Sequence, residues 1–168
     1  TRNYYWVLHR GSVDINKSIY FSLSAYERIK TSSVNVSISG TASNKGNSSI
    51  SMSGVNSSVI SVNLTNDTKI PNKAIVTRIS SSGTQSPSQG NVHHMIMPAS
   101  NGNWYTSTVS SASSGHYNID IDDGIPVKQK WSFKYNALAT AKSTMRNVKL
   151  TIEFQYDLHD TDYETYIR

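Results

Sequence analysis

The sequence predicts an all-β protein, a single antiparallel β-sandwich or jelly roll spanning residues 1–168. Three observations carry that expectation. Apolar residues recur at every second position in run after run, the runs are short and parted by Gly, Ser and Asn, and helical spacing is almost missing. Val148, Leu150, Ile152, Phe154, Tyr156 and Leu158 form the longest such stripe, with Lys149, Glu153 and Asp157 on the opposite side. Alternate residues of a strand share a face, so this stripe predicts one face buried almost throughout.

The same reasoning places the other elements in order. Tyr4–Leu8 and Ile19–Leu23 open the chain as strands. Val34, Val36 and Ile38 alternate with Ser and Asn, Ser43-Asn44-Lys45-Gly46-Asn47 supplies a turn, and Ile50 and Met52 resume the alternation. Together they predict a hairpin with one apolar and one hydroxyl-rich face. Ile60, Val62 and Leu64 make the next stripe, followed by Ala74–Ile79, Val92–Met97, Trp104–Val109 and Tyr117–Ile121. Ser80–Gly90 reads as a loop between equally good strands. Trp131, Phe133 and Tyr135 mark the penultimate strand. Helical spacing appears only around Ala137–Met145 and Ala25–Lys30, too short for crossover helices, so a parallel sheet is disfavoured. Trp131, Phe133, Val148, Leu150, Ile152 and Phe154 are the expected core.

Composition narrows the setting. Serine is roughly one residue in six, and charged residues are only 16%. The shortage of apolar residues is thus filled by neutral polar groups, while 168 residues suffice for a core without disulfides. Cysteine is absent, which suits a bacterial, phage or intracellular origin better than a secreted eukaryotic one. No apolar run reaches membrane-span length, and the start at Thr1-Arg2-Asn3 suits a mature or trimmed chain. A secreted or cell-surface location is expected. The net charge of +5 has a local centre in Lys128, Lys130, Lys134, Lys142, Arg146 and Lys149. Their alternation with Trp131, Phe133 and Tyr135 reads as a solvated strand face, and no nucleic-acid-binding motif stands beside them.

The chemistry-bearing residues are sparse. His93 and His94 are strand neighbours that point to opposite faces, so they do not share a metal ion; His9, His116 and His159 show no ligand spacing. No Gly-x-Ser-x-Gly elbow is present and no carboxylate pair suits glycoside hydrolysis, so catalysis is not expected. In Asp120-Ile121-Asp122-Asp123-Gly124, Asp120, Asp122 and Asp123 are weak candidates for calcium. Strand-end turns carry Asp and Gly for backbone reasons alone, and the expectation is no cofactor.

Asn101-Gly102-Asn103-Trp104-Tyr105 is the segment that points to a ligand. Asn-Gly makes a tight turn that delivers an indole and a phenol to a strand. A flat apolar ring beside amides is what a sugar needs, so Asn101, Asn103, Trp104 and Tyr105 are the expected binding residues, with Tyr4, Tyr5 and Tyr117 available to join them. The leading expectation is a non-enzymatic module that binds a glycan, an envelope polymer or a partner protein. The alternative is a small pore former whose hairpin at 31–66, where Lys45 is the only charge, enters lipid. A phage or capsid structural protein is the third reading.

Overall fold

The computed structural model describes residues 28–90, 92–107, 117–121 and 124–158. Among the described residues there is no helix and there are ten strands. They are β1 (Ile29–Ile38), β2 (Ala42–Asn44), β3 (Val55–Asn56), β4 (Ile60–Asn63), β5 (Ile75–Ser86), β6 (Val92–Pro98), β7 (Tyr105–Thr106), β8 (Tyr117–Ile119), β9 (Lys130–Ala137) and β10 (Ser143–Asp157). The expected strands Tyr4–Leu8 and Ile19–Leu23 lie outside the described residues.

Two antiparallel sheets pack face to face as a β-sandwich. One has the order β1-β10-β5-β8, with β2 also pairing β10; the other has the order β3-β9-β6-β7, with β4 also pairing β9. The two strongest alternating stripes become the central strands of opposite sheets. Trp131, Phe133 and Tyr135 on β9 and Val148, Leu150, Ile152 and Phe154 on β10 are buried, and they meet in one cluster with Ile79, Ile96 and Ile70. Trp131 is fully enclosed because its indole N–H donates to the Val127 carbonyl at 3.0 Å, which removes the penalty of burying it.

Three expectations fail, each for a physical reason. The hairpin of Val34–Ser39 with Ser49–Ser53 does not form. β1 pairs instead along its whole length with β10, Val36 opposite Leu150 and Ile38 opposite Val148. That partner offers ten matched positions, whereas the Ser49–Ser53 limb offers five. The limb is held as turns by the buried Asn47 side chain. Its Oδ1 accepts from the Ser51 N–H at 2.8 Å, and its Nδ2 donates to the Ser51 and Leu138 carbonyls at 2.8 and 3.1 Å. Ile50 and Met52 are left exposed.

The supposed loop Ser80–Gly90 is the second failure, because β5 runs through Ser86. Its inward residues are Ser81, Gly83 and Gln85 rather than apolar ones, so the alternation is hidden. Each has a reason to be inside. Ser81 and Gln85 hydrogen-bond to His94 and Ser143, and a Cβ on Gly83 would lie 3.0 Å from the Met145 side chain. The third concerns Ala137–Met145, which is the end of β9, a turn and the start of β10 rather than a helix. There, β10 carries a bulge between Arg146 and Lys149, with Asn147 at φ 52°. The bulge changes which parity faces inward: Ser143 and Met145 are buried before it, and Val148, Leu150 and Ile152 after it.

Candidate functional site

On β6 and β9 the pleat sorts side chains cleanly. Val92, His94, Ile96 and Pro98 go inward, while His93, Met95 and Met97 stand half-buried on the outer face. Opposite them across the ladder, His93 pairs Asn136 and Met95 pairs Lys134. The chain leaves β6 through the Asn101-Gly102 turn, where Gly102 takes φ 69° and its N–H donates to the Pro98 carbonyl at 3.1 Å. A side chain there would meet no neighbour, so the glycine serves the backbone conformation alone.

The four residues expected to bind ligand divide into different roles. Asn101 uses both ends of its amide within the turn: Nδ2 donates to Tyr105 Oη at 2.8 Å and Oδ1 accepts from the Asn103 N–H at 3.0 Å. Tyr105 pairs with Ile96 and packs its ring against the core. Asn103 is exposed. Trp104, the residue just before Tyr105, is half-buried, and the Lys134 ammonium stands 4.1 Å from the centre of its ring. Such a cation–π contact is worth about 0.5–1 kcal/mol near a surface. Partial burial pushes the Lys134 ammonium below the usual lysine range.

Met95, which faces Lys134 across the ladder, lines a groove of about 410 Å³ on the outer face. Met52, Met95 and Leu138 supply its apolar wall, and Asn56, His93 and Asn136 supply polar groups. Asn136 is held in place by donating to Asn56 Oδ1 at 2.9 Å and to the Ser53 carbonyl at 3.1 Å. Gly54, at φ 68°, lets Asn136 approach this closely, since a Cβ there would collide with the amide. Apolar surface with a few oriented amides is the usual make-up of a small-ligand site. The sequence signal for the groove was present in Val92–Met97, where both halves of the alternation are adhesive; the contribution of Met52 and Asn56 depends on the turn at Asn47.

Inside the sandwich, Ser81 Oγ and His94 Nδ1 are 2.8 Å apart. That geometry resembles a nucleophile and its base, yet both side chains are buried and out of reach of a substrate. His94 stacks on Tyr117 with ring centres 3.6 Å apart and meets Phe133 edge-on at 5.1 Å. Its Nε2 has no hydrogen-bond partner. Burial holds the imidazole down at about 3, far below the usual 6.5. Tyr117 therefore belongs to the core and does not join the Trp104 surface.

Among the other sequence candidates, Asp120 is exposed just after β8, and Asp122 and Asp123 lie outside the described residues, as do Tyr4, Tyr5, His9, His116 and His159. Among the described residues no group of three or more His, Cys, Asp or Glu is placed to hold a metal ion. The basic cluster separates in space. Lys130 and Lys134 lie on β9, whereas Arg146 and Lys149 lie on β10 in the other sheet.

No protein-family model matches the chain. It is 49% identical over 158 residues to "Uncharacterized protein YbdN" of Bacillus subtilis (strain 168), an alignment that takes in 94% of this chain and 55% of that protein. The chain thus spans about half the length of this relative. The solved structure "Cryo-EM structure of Mud crab tombus-like virus at 3.3 Angstroms resolution" aligns over the whole of both chains, at 8% identity and a TM-score of 0.40, too slight a likeness to bear on function.

Proposed function

We propose that this chain is a non-catalytic β-sandwich binding module, secreted or on the cell surface, that takes a glycan on the outer face of the β3-β9-β6-β7 sheet. The observation that carries the reading is the half-buried Trp104 indole under Lys134, whose cross-strand partner Met95 lines the groove with Met52, Asn56 and Asn136. A sugar ring presents an apolar face that an indole or thioether can cover and hydroxyls that amides can meet. Lys134 is the gate of this site: a sugar that stacks on the ring face now beneath the ammonium must displace it, at a cost of about 0.5–1 kcal/mol. Neutral amides lose less on desolvation than ions would, which favours a neutral ligand here.

A glycan array read with the native chain and with Trp104→Ala tests this directly. The native chain should retain a defined set of glycans, and the variant, still folded by circular dichroism, should lose them. Equal binding by both, or no glycan bound by either, removes the reading.

A further inference from the structure

We infer that the opposite face of the sandwich, along the first half of β10, is a binding strip for a linear phosphodiester polymer of hydroxylated units. The argument begins at the bulge. In a regular strand residues three apart face opposite ways, so Arg146 and Lys149 would point to different sides of the sheet. The extra residue Asn147, at φ 52°, turns both outward and leaves Met145 and Val148 in the core on either side. The left-handed conformation costs any residue with a Cβ some strain, least for Asn, and its effect here is to place two cations on one face.

Hydroxyl groups surround them. Lys149 stands between Ser37 on β1 and Ser82 on β5, and Arg146 stands opposite Thr84. Arg146, Lys149, Ser37 and Ser39 line a groove of about 550 Å³. One step back along β10, Lys45 and Lys142 line a second groove of about 340 Å³ together with Thr144 and Ser86. From Lys142 to Lys149 the strand advances roughly 20 Å. The two grooves thus follow one another along a single strand, as successive charges of a chain molecule would need.

Among the described residues no anion balances the four cations. None makes a hydrogen bond or ion pair among the described residues, and the next acid along β10 is Glu153, which lies opposite Arg78. Farther on, Asp157 is held by Arg28 at 2.6 Å. An uncompensated row of cations attracts a polyanion over several ångströms and gains by releasing its counterions. The choice among polyanions follows from what else the face presents. Along the first half of β10 and the stretches of β1 and β5 opposite it, the outward residues are Ser, Thr, Asn and charged side chains, without an aromatic ring on which a base could stack. Hydroxyl-rich surroundings suit phosphates linked through polyols or sugars better than nucleobases. This strip lies on the other sheet from Trp104, so it stands or falls apart from the glycan reading.

Titration of the full chain with a poly(glycerol phosphate) oligomer, at 50 and 200 mM salt, tests the strip. Four phosphate contacts on a flexible polyanion give a log–log salt slope of about −3, an affinity loss of about fifty-fold across that range. R146Q/K149Q should bind about ten-fold or more weakly at 50 mM and show about half the slope. K69Q/K130Q removes the same charge from exposed positions elsewhere and should change affinity less than about two-fold. Folding of each variant is verified by its thermal melt. Equal weakening by the two double variants would show only a net-charge effect and overturn the inference. So would the absence of binding, or equal or tighter binding of a single-stranded oligonucleotide of the same charge.

Discussion

Replacing His94 with Phe should flatten the acid dependence of stability, and the size of the effect follows from the packing. In the folded chain the imidazole lies between Tyr117 and Phe133 with Nδ1 on Ser81 and Nε2 without a partner. Protonation would make both nitrogens donors, one of them facing no acceptor, and no Asp or Glu is buried among the described residues. Tyr117 stacks on the ring and Tyr135 lies opposite it across the ladder. The folded imidazole accordingly titrates at about 3, against 6.5 for the free side chain. Because the folded value is depressed, the stability is fully present above pH 6.5. It is lost as the pH falls, since the unfolded chain takes up a proton that the folded chain refuses. Each pH unit within that window costs about 1.4 kcal/mol, hence about 3 kcal/mol by pH 4 and about 4 kcal/mol by pH 3, where the folded imidazole begins to take up its own proton. At pH 7 the Phe variant loses the Ser81 hydrogen bond, about 1–3 kcal/mol, partly offset by removal of the unpartnered nitrogen. Urea unfolding at pH 7, 6, 5 and 4 measures both proteins, and the difference between them cancels carboxylate titration common to the two. The variant should gain on the native chain by about 3 kcal/mol between pH 7 and 4. A gain below about 1 kcal/mol would refute the argument that this ring stays neutral inside the sandwich.

Other perturbations test separate parts of the structure. Leu150→Ala removes a fully buried side chain from the centre of β10 and should cost about 2–5 kcal/mol in denaturant unfolding. Gly83→Val should cost about 1–3 kcal/mol by overpacking against Met145, whereas Ser82→Val, at an outward, half-buried position, should cost clearly less; equal effects would contradict the inward register of β5. Tyr105→Ala should lower stability by about 2–4 kcal/mol and Trp104→Ala by less, since Tyr105 packs on the core and Trp104 stands on the outer face. Thermal melts in millimolar calcium and in chelator should coincide, and a rise of several degrees with calcium would mean that Asp120, Asp122 and Asp123 converge on the ion.

Several structural features were legible in the sequence because they depend on local pattern alone. The stripe Val148–Phe154 could be read as the inner face of a strand, since period-two alternation leaves one way to bury it, and Trp131 and Phe133 followed by the same rule. The opposition of His93 and His94 came from the pleat itself. The Asn101-Gly102 turn was visible in its dipeptide, though the consumption of the Asn101 amide by Tyr105 and Asn103 was not. Of the groove at Met52, Asn56, Met95 and Asn136 only the Val92–Met97 side was legible, because the groove is assembled from four separate stretches of chain.

What the sequence determined by itself is therefore the β class, the faces of the strongly alternating strands and the lack of thiol chemistry, all consequences of side-chain type and spacing. What only the tertiary structure decided is partnership. β1 pairs with β10 rather than its neighbour in sequence because ten matched positions bury more than five and Asn47 holds the nearer limb in turns. The polar run Ser81, Gly83, Gln85 became the inside of a strand because His94, Met145 and Ser143 arrive from elsewhere to fill its contacts. The single extra residue Asn147 set Arg146 and Lys149 on one face, since a bulge is a property of a paired ladder and exists only once the partner strand is in place.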